Sequence, residues 1–325
     1  MSKVFIIALL CISCGSGVGS TPNITPGPIL EPPIEGLTVI DEDRPYLSTT
    51  GALSSGDYKG MLFYRGATHH NGDDGDIFMK YGQYSYQLTQ NNVDDRGGAV
   101  GYIGDKPAIV SFQHGLAPNT VSVGLITWVY PGQIVEQDQP GDVGNRGNCY
   151  GDIYDVDGVY KIACYDHAVG SATTYKEFLL TWDGEKWGNK EIILQGIIGE
   201  LSLEYLGHGD WLGVGRGSDS KLYKITKTAG SIWKMEPIFN AFNAPPRLIT
   251  YNGQRYLLYA DRGDMTLKYS RWAVDFFSAS HAFYHSSSDS TSDFGYPIFD
   301  GTRIWFYDQT EAGTELKWIP IGDVL

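Results

Sequence analysis

Charged and proton-exchanging residues recur at two kinds of position in this chain. Arg44, Arg96, Arg146, Glu200, Arg247 and the run Asp293–Tyr296 stand at the starts of apolar strands. Arg65 to His70, His114, His167, Arg216, Arg262 and Asp308 stand at or just past the ends of the strands that follow. Taken singly, each is what a solvated or salt-bridged surface group looks like. Gathered at one place they become a site, because functional groups in repeat folds collect on one loop face. The 325 residues carry a formal net charge of −14. An anionic ligand therefore needs a local Arg cluster to overcome the field of the whole chain. The same charge, with no basic run, argues against nucleic acid, whose phosphates require clustered Lys and Arg.

The elements that would bring these residues together are short strands. With 22 Tyr, 8 Trp and 41 Gly, and no long apolar stretch of helical period, the composition suits twisted strands joined by tight turns. One unit recurs: an apolar strand, a Gly turn, an aromatic-rich strand, a polar loop and a third alternating strand. The turn glycines are Gly60, Gly104, Gly158, Gly209, Gly253 and Gly301, spaced 44, 54, 51, 44 and 48 residues apart. Asp157-Gly158, Asn252-Gly253 and Asp300-Gly301 are two-residue hairpin signals. A strand repeat of this length predicts an all-β, six-bladed β-propeller over residues 37–325. A β-sandwich is the competing architecture, but it does not require so regular a repeat. The sixth unit ends at Leu325 after its third strand. The stretch Leu37–Ile40 is therefore expected to close the ring beside Thr314–Pro320 and remove an open edge. In each blade the start of the first strand and the end of the second lie at the same rim, so the two sets of charged residues converge on one mouth.

Before the propeller come two other segments. Lys3 and the apolar run Val4 to Ile12 read as an export signal over residues 1–14, too short to span a bilayer. Cys14 among small residues resembles a bacterial lipoprotein acylation site, although Cys11 stands where Leu is usual; a simply cleaved secretory signal is the alternative. Residues 15–36 are rich in Gly, Ser, Thr and Pro and read as a tether. Asn23-Ile24-Thr25 is a glycosylation sequon relevant only to a eukaryotic secretory route. The expected location is the outer membrane, the cell surface or the medium. Export makes a Cys149–Cys164 disulfide the expectation, with two buried free thiols as the alternative. A turn at Asp157-Gly158 pairs Val156 with Val159 and sets the two cysteines diagonally on one face, bridgeable through a small bulge.

Three stretches resemble the sialidase (neuraminidase) superfamily, a six-bladed propeller family. They are MLFYRGATHHNGDDGDIFMKY in unit one, GELSLEYLGHGDWLGVGRGSDSKLYKI in unit four and FGYPIFDGTRIWFYD in unit six. The family's Asp-box survives only in degenerate form at Thr226–Trp233, and its Arg-Ile-Pro opening is altered to Arg44-Pro45. The resemblance implies a glycoside hydrolase acting on a terminal acidic sugar. Arg44, Arg216 and Arg262 would grip the sugar carboxylate, with Arg247 as a replacement for Arg44; a planar guanidinium binds carboxylate bidentately. Tyr296 would be the nucleophile, Glu200 the base that activates it, and Asp73 the acid and base, with Asp74 as alternate. Two other readings stand beside this one. A non-catalytic glycan-binding propeller, an adhesin or receptor-binding protein, would use the abundant Tyr and Trp for stacking. A polysaccharide lyase would use His70, His114 or His167 to abstract a proton. No cofactor is expected, and the His spacing carries no local metal signature.

Overall fold

The computed structural model describes residues 37, 39–40, 46–67, 75–91, 93–114, 122–138, 148–167, 175–195, 197–217, 219, 221–240, 246–261, 264–273, 276–286, 295–310 and 313–325. The expected signal, tether and Cys14 lie outside them. The described chain is almost entirely strand and forms a six-bladed β-propeller.

All six turn glycines have positive φ, between 66° and 93°. Asp157, His208 and Asn252, which precede three of them, also have positive φ, as a hairpin turn matched to strand twist requires. Val156 pairs with Val159 as expected. Asp300-Gly301 turns differently from the expected two-residue hairpin. Asp300 keeps an ordinary φ, and its buried carboxylate accepts from the backbone N–H groups of Thr302 and Arg303 at 2.8 and 2.7 Å.

Blade one runs from its innermost strand Tyr46–Ala52 through Leu62–Ala67 and Gly75–Tyr81 to Tyr84–Gln87. Blades two, three and four follow the same plan, with innermost strands Asp94–Ile103, Asn148–Val156 and Ile197–Gly207. In blade five, Phe276–Phe277 and His281–His285 both pair with Thr266–Ala273. Blade six has three strands, Gly295–Phe299, Arg303–Thr310 and Gly313–Pro320, then a turn of 3-10 helix, Ile321–Asp323.

Each blade has two apolar faces and buries them on its neighbours. Phe63 and Ile77 of blade one meet Val100, Ile109 and Trp128 of blade two. Tyr154 and Leu179 of blade three meet Leu203 and Trp211 of blade four. Leu212 and Leu222 meet Leu257 and Phe277 across the next junction, and Leu258 meets Phe299 and Ile304 across the one after. Ala52 and Leu62 of blade one meet Ile298 and Trp305 of blade six, which closes the ring. At the axis the approach is too close for some side chains. A Cβ on Gly51 would lie 2.7 Å from a methyl of Val100, and one on Gly98 would strike the carbonyl oxygen of Val110. The innermost strands of blades two and three even pair in parallel, Gly151 with Ala99 and Asp152 with Val100.

The expected closing strand is not where the sequence suggested. Val39–Ile40 pairs with Tyr86 and Ser85, on the outer edge of blade one, and not beside Thr314–Pro320. The free edge of Tyr84–Gln87 supplies the hydrogen bonds, and Leu37 packs against the cluster that buries Tyr86. The blade-six junction is sealed by side chains instead.

Cys149 and Cys164 are bridged. They stand directly opposite one another, with Cα atoms 3.9 Å apart, and not diagonally. The bulge is larger than a single residue: between Tyr150 and Ile153 the innermost strand carries Gly151 and Asp152 as extra residues, which shifts the register. Replacing both cysteines with alanine should lower the unfolding free energy by about 2–4 kcal/mol, since the bridge closes a short loop in the unfolded chain. Denaturant titration should show a lower midpoint for the double variant; an unchanged midpoint would mean the bridge adds nothing to stability.

Candidate functional site

Starts of first strands pair with ends of second strands: Arg96 with Phe112, Asn148 with Tyr165, Arg247 with Leu258, Gly295 with Tyr307. Glu200 immediately precedes Leu201, which pairs with Gly215, so it lies in the irregular stretch opposite Arg216 on the neighbouring strand. Tyr296 immediately follows Gly295 at the start of blade six. His114 and His167 end second strands at the same rim, paired with Asp94 and Tyr175. Arg44, His70, Asp73, Asp74, Arg146 and Arg262 lie outside the described residues.

The bulges recur here. Besides the one at Gly151-Asp152, register shifts fall between Arg96 and Ala99, between Ile197 and Leu201, and between Gly295 and Ile298. A bulge interrupts the pleat and re-aims a side chain without moving the rest of the strand. Asp152 is one such residue, and its carboxylate forms an ion pair with the guanidinium of Arg247, two blades away. Only 14% of the Arg247 side chain is exposed. Burial raises the Asp152 carboxyl above its ordinary range and Arg247 opposes that shift. The pair lines a central cavity of about 330 Å³, into which Ser55, Glu204 and Thr250 also open. Glu204 is in turn held by Arg255, at 2.5 and 3.1 Å.

A second ion-paired group sits between blades one and two, and sequence reasoning missed its centre. Asp94 accepts from Arg65 Nε at 3.0 Å and from a terminal nitrogen of the same guanidinium, while its other oxygen accepts from Arg96 Nε at 2.8 Å. The Gly75 amide, at 3.3 Å, completes the clasp. The only local signal was the run Asp94-Asp95-Arg96. Its partner Arg65 is 29 residues away. Asp95, beside it, is fully buried, and Asn91 donates to one of its oxygens at 3.0 Å. Burial pushes the Asp95 carboxyl up to about 7, the Thr89 and Asn91 side chains resist, and the carboxylates of Asp76 and Asp94 add to the rise.

Arginines of the first strands are thus already fixed in place by aspartates, and the Arg247–Asp152 pair faces a cavity whose other polar residues, Ser55, Glu204 and Thr250, belong to the far ends of the first strands. A guanidinium has five N–H donors, so Arg247 and Arg96 keep donors to spare after their aspartate contacts. A ligand carboxylate that accepts from them would lie close to the negative charge of Asp152 or Asp94 and be repelled by it. Hydroxyl groups need only accept from the remaining donors. Among the described residues no three His, Cys, Asp or Glu side chains are grouped to hold a metal ion.

No family model matches the chain, and no curated protein matches it. Solved structures do. Trypanosoma rangeli sialidase in complex with the inhibitor DANA superposes with a TM-score of 0.63 at 10% identity, over 87% of this chain and 56% of that one. AofleA from Arthrobotrys oligospora, in the form of a triple arginine-to-alanine mutant, gives 0.59 at 13% identity, over 87% and 86%. The Aleuria aurantia lectin, described as a six-bladed β-propeller with a novel fucose recognition mode, gives 0.51 at 10%, over 86% and 98%. The fold is thus that of a six-bladed β-propeller, which that sialidase and those lectins also have.

Asp95 generates a pH prediction. An unfolded Asp titrates near 3.9, so between about pH 4 and 7 the native state holds a proton that the unfolded state has lost. Stability contributed by this site is therefore present at low pH and falls as pH rises through 7. Asp95→Asn removes the titration and keeps the shape. At pH 8 it should be more stable than the parent by up to about 4 kcal/mol, with the difference vanishing near pH 4. Thermal unfolding across pH 4–8 reads this directly; parallel curves for the two proteins would contradict it.

Proposed function

We propose that this is an exported carbohydrate-recognising propeller that takes a terminal sugar at the mouth formed by the starts of its first strands. The observation that carries the reading is the set of aspartate-oriented arginines there, Arg247 on Asp152 and Arg96 with Arg65 on Asp94. Fixed N–H donors suit a ring of hydroxyl groups, and their orientation is set before the ligand arrives. Export, by a cleaved signal or a lipid on Cys14, brings such a site to extracellular glycans.

A second reading is hydrolysis of a terminal acidic sugar. It is favoured by the rim positions of Glu200, Arg216 and Tyr296. In this scheme Glu200 removes the phenolic proton of Tyr296, the phenolate attacks the anomeric carbon, and Asp73 protonates the leaving oxygen and later deprotonates water. Arg216, Arg262 and Arg44 hold the carboxylate. Tyr is the fitting nucleophile because a carboxylate would repel the substrate's own negative charge.

The two readings separate in one experiment. The full chain is applied to immobilised glycans and, in parallel, to a fluorogenic sialoside. Recognition at the mouth should weaken by about 10-fold or more in Arg96→Ala, the cost of one charge-assisted hydrogen bond. If hydrolysis occurs, Tyr296→Phe should abolish turnover and leave binding intact. Binding without turnover in the parent protein rejects hydrolysis and keeps recognition. Failure to bind any glycan rejects both.

A further inference from the structure

The opposite face of the ring carries a cleft that neither reading uses. It lies between blades six and one, has a volume of about 340 Å³, and is walled by Arg303, Trp305 and Trp318 on one side and by Leu62 and Lys80 on the other. That volume is within the range of small-ligand pockets. The strand pairing explains the wall. Trp305 stands directly opposite Trp318, and Arg303 is two residues before Trp305 on the same face. Leu62 pairs with Lys80 on the facing blade. Among the described residues blade six has three strands, and Trp318 on the third is 49% exposed while Trp305 beneath it is buried.

The chemistry of the wall is specific. The two indoles lie 6.3 Å apart at 51°, and the Arg303 guanidinium sits over both, 4.8 Å from the Trp305 ring and 5.5 Å from the Trp318 ring. Asp300, fully buried, accepts from Arg303 Nε at 2.9 Å and from the Trp305 indole N–H at 2.6 Å. Burial would raise the Asp300 carboxyl, but the Trp305 indole, the Thr302 and Arg303 amides and the Arg303 charge outweigh it and hold the group below its ordinary range. Asp300 is thus an anion at neutral pH, and it fixes both the guanidinium and the inner indole. One terminal nitrogen of Arg303 faces Gly60 across the cleft, where a Cβ would come within 4.0 Å of it.

We propose that this cleft is a second carbohydrate site, in which the exposed indole of Trp318 receives the C–H face of a neutral pyranose and the terminal nitrogens of Arg303 donate to its hydroxyls. Neutrality follows from the Asp300–Arg303 pair; Lys80, on the opposite wall, is already engaged in an interaction of its own. Asp300 already compensates Arg303, so the guanidinium offers directed donors more than net charge, and the two indoles favour a ring with an apolar face. The site stands on its own residues and does not rest on the mouth.

The test labels the full chain with 5-fluorotryptophan and follows the Trp318 fluorine resonance, assigned by its loss in Trp318→Phe. The probes are the methyl glycosides of glucose, galactose, mannose and fucose, with the methyl glycoside of N-acetylneuraminic acid as the charged comparison. At least one neutral glycoside should shift the Trp318 signal saturably, and the shift should be insensitive to salt. Calorimetry with that glycoside should show binding weakened by about 10-fold or more in Arg303→Ala and lost in Trp318→Ala. Trp318 is exposed, so its loss should leave the thermal midpoint and any recognition at the mouth unchanged. The proposal is overturned if no neutral glycoside moves the signal, if only the charged one does, or if Trp318→Ala binds as the parent does. A protein inert at the mouth but responsive at Trp318 would reject the mouth and keep the cleft.

Discussion

The contact of Ala52 and Leu62 with Ile298 and Trp305 closes the ring, and the other junctions depend on it. A blade is a small sheet with an apolar surface on each face, and it becomes stable only between two neighbours. Opening any one junction exposes two of those faces. Here the junction between the last blade and the first is held by side chains, because the N-terminal strand Val39–Ile40 extends blade one instead of completing blade six. The C-terminal turn compensates in part by burying Ile321 with Leu258 and Ile304. Closure by packing alone seals the inner part of the junction and leaves its outer part open, which is where Trp318 emerges.

Closure also forces the innermost strands together at the axis. Small residues accept the approach, as Gly51 does against Val100. Bulges release what will not fit. Extra residues at Gly151-Asp152 and between Arg96 and Ala99 are the local answer to a crowded axis, and they turn charged side chains into the mouth. The crowding that stabilises the ring thus also furnishes its polar rim.

Much of the architecture was legible in the sequence because it rests on local requirements. A tight turn demands positive φ, glycine supplies it, and all six expected turn glycines adopt it. The disulfide was legible because the Asp157-Gly158 turn fixes the register nearby; only the extra bulge residue, set by contacts with another blade, was not. The outer strands were harder. Gln133–Asp138, with its exposed and half-buried positions, carries little of the alternation that marks a strand. The outer strand of blade one, Tyr84–Gln87, is only four residues long, and its free edge is what takes Val39–Ile40 away from blade six. The ion pairs were least legible of all. Arg247 and Asp152 are 95 residues apart and meet only because the ring brings blade five across from blade three. Convergence on a rim could be deduced from topology, but which carboxylate meets which guanidinium depends on bulges that no local pattern announces.

The same device appears on both faces of the ring. At the mouth Asp94 and Asp152 hold arginines; in the outer cleft Asp300 holds Arg303. In each case a largely desolvated carboxylate takes part of a guanidinium and fixes its orientation. Removing charges from water is costly, so such a pair contributes little net stability beside an apolar replacement. What it supplies is a fixed orientation. A chain with net charge −14 repels anions at long range, and arginines balanced in place do nothing to reverse that. Their remaining donors act at hydrogen-bond distance, on groups that carry no charge. Preoriented N–H donors beside indole rings, on a surface that repels anions, favour a hydroxylated ring over a free carboxylate or phosphate, and the exposed Trp318 beside Arg303 is where these conditions coincide most fully.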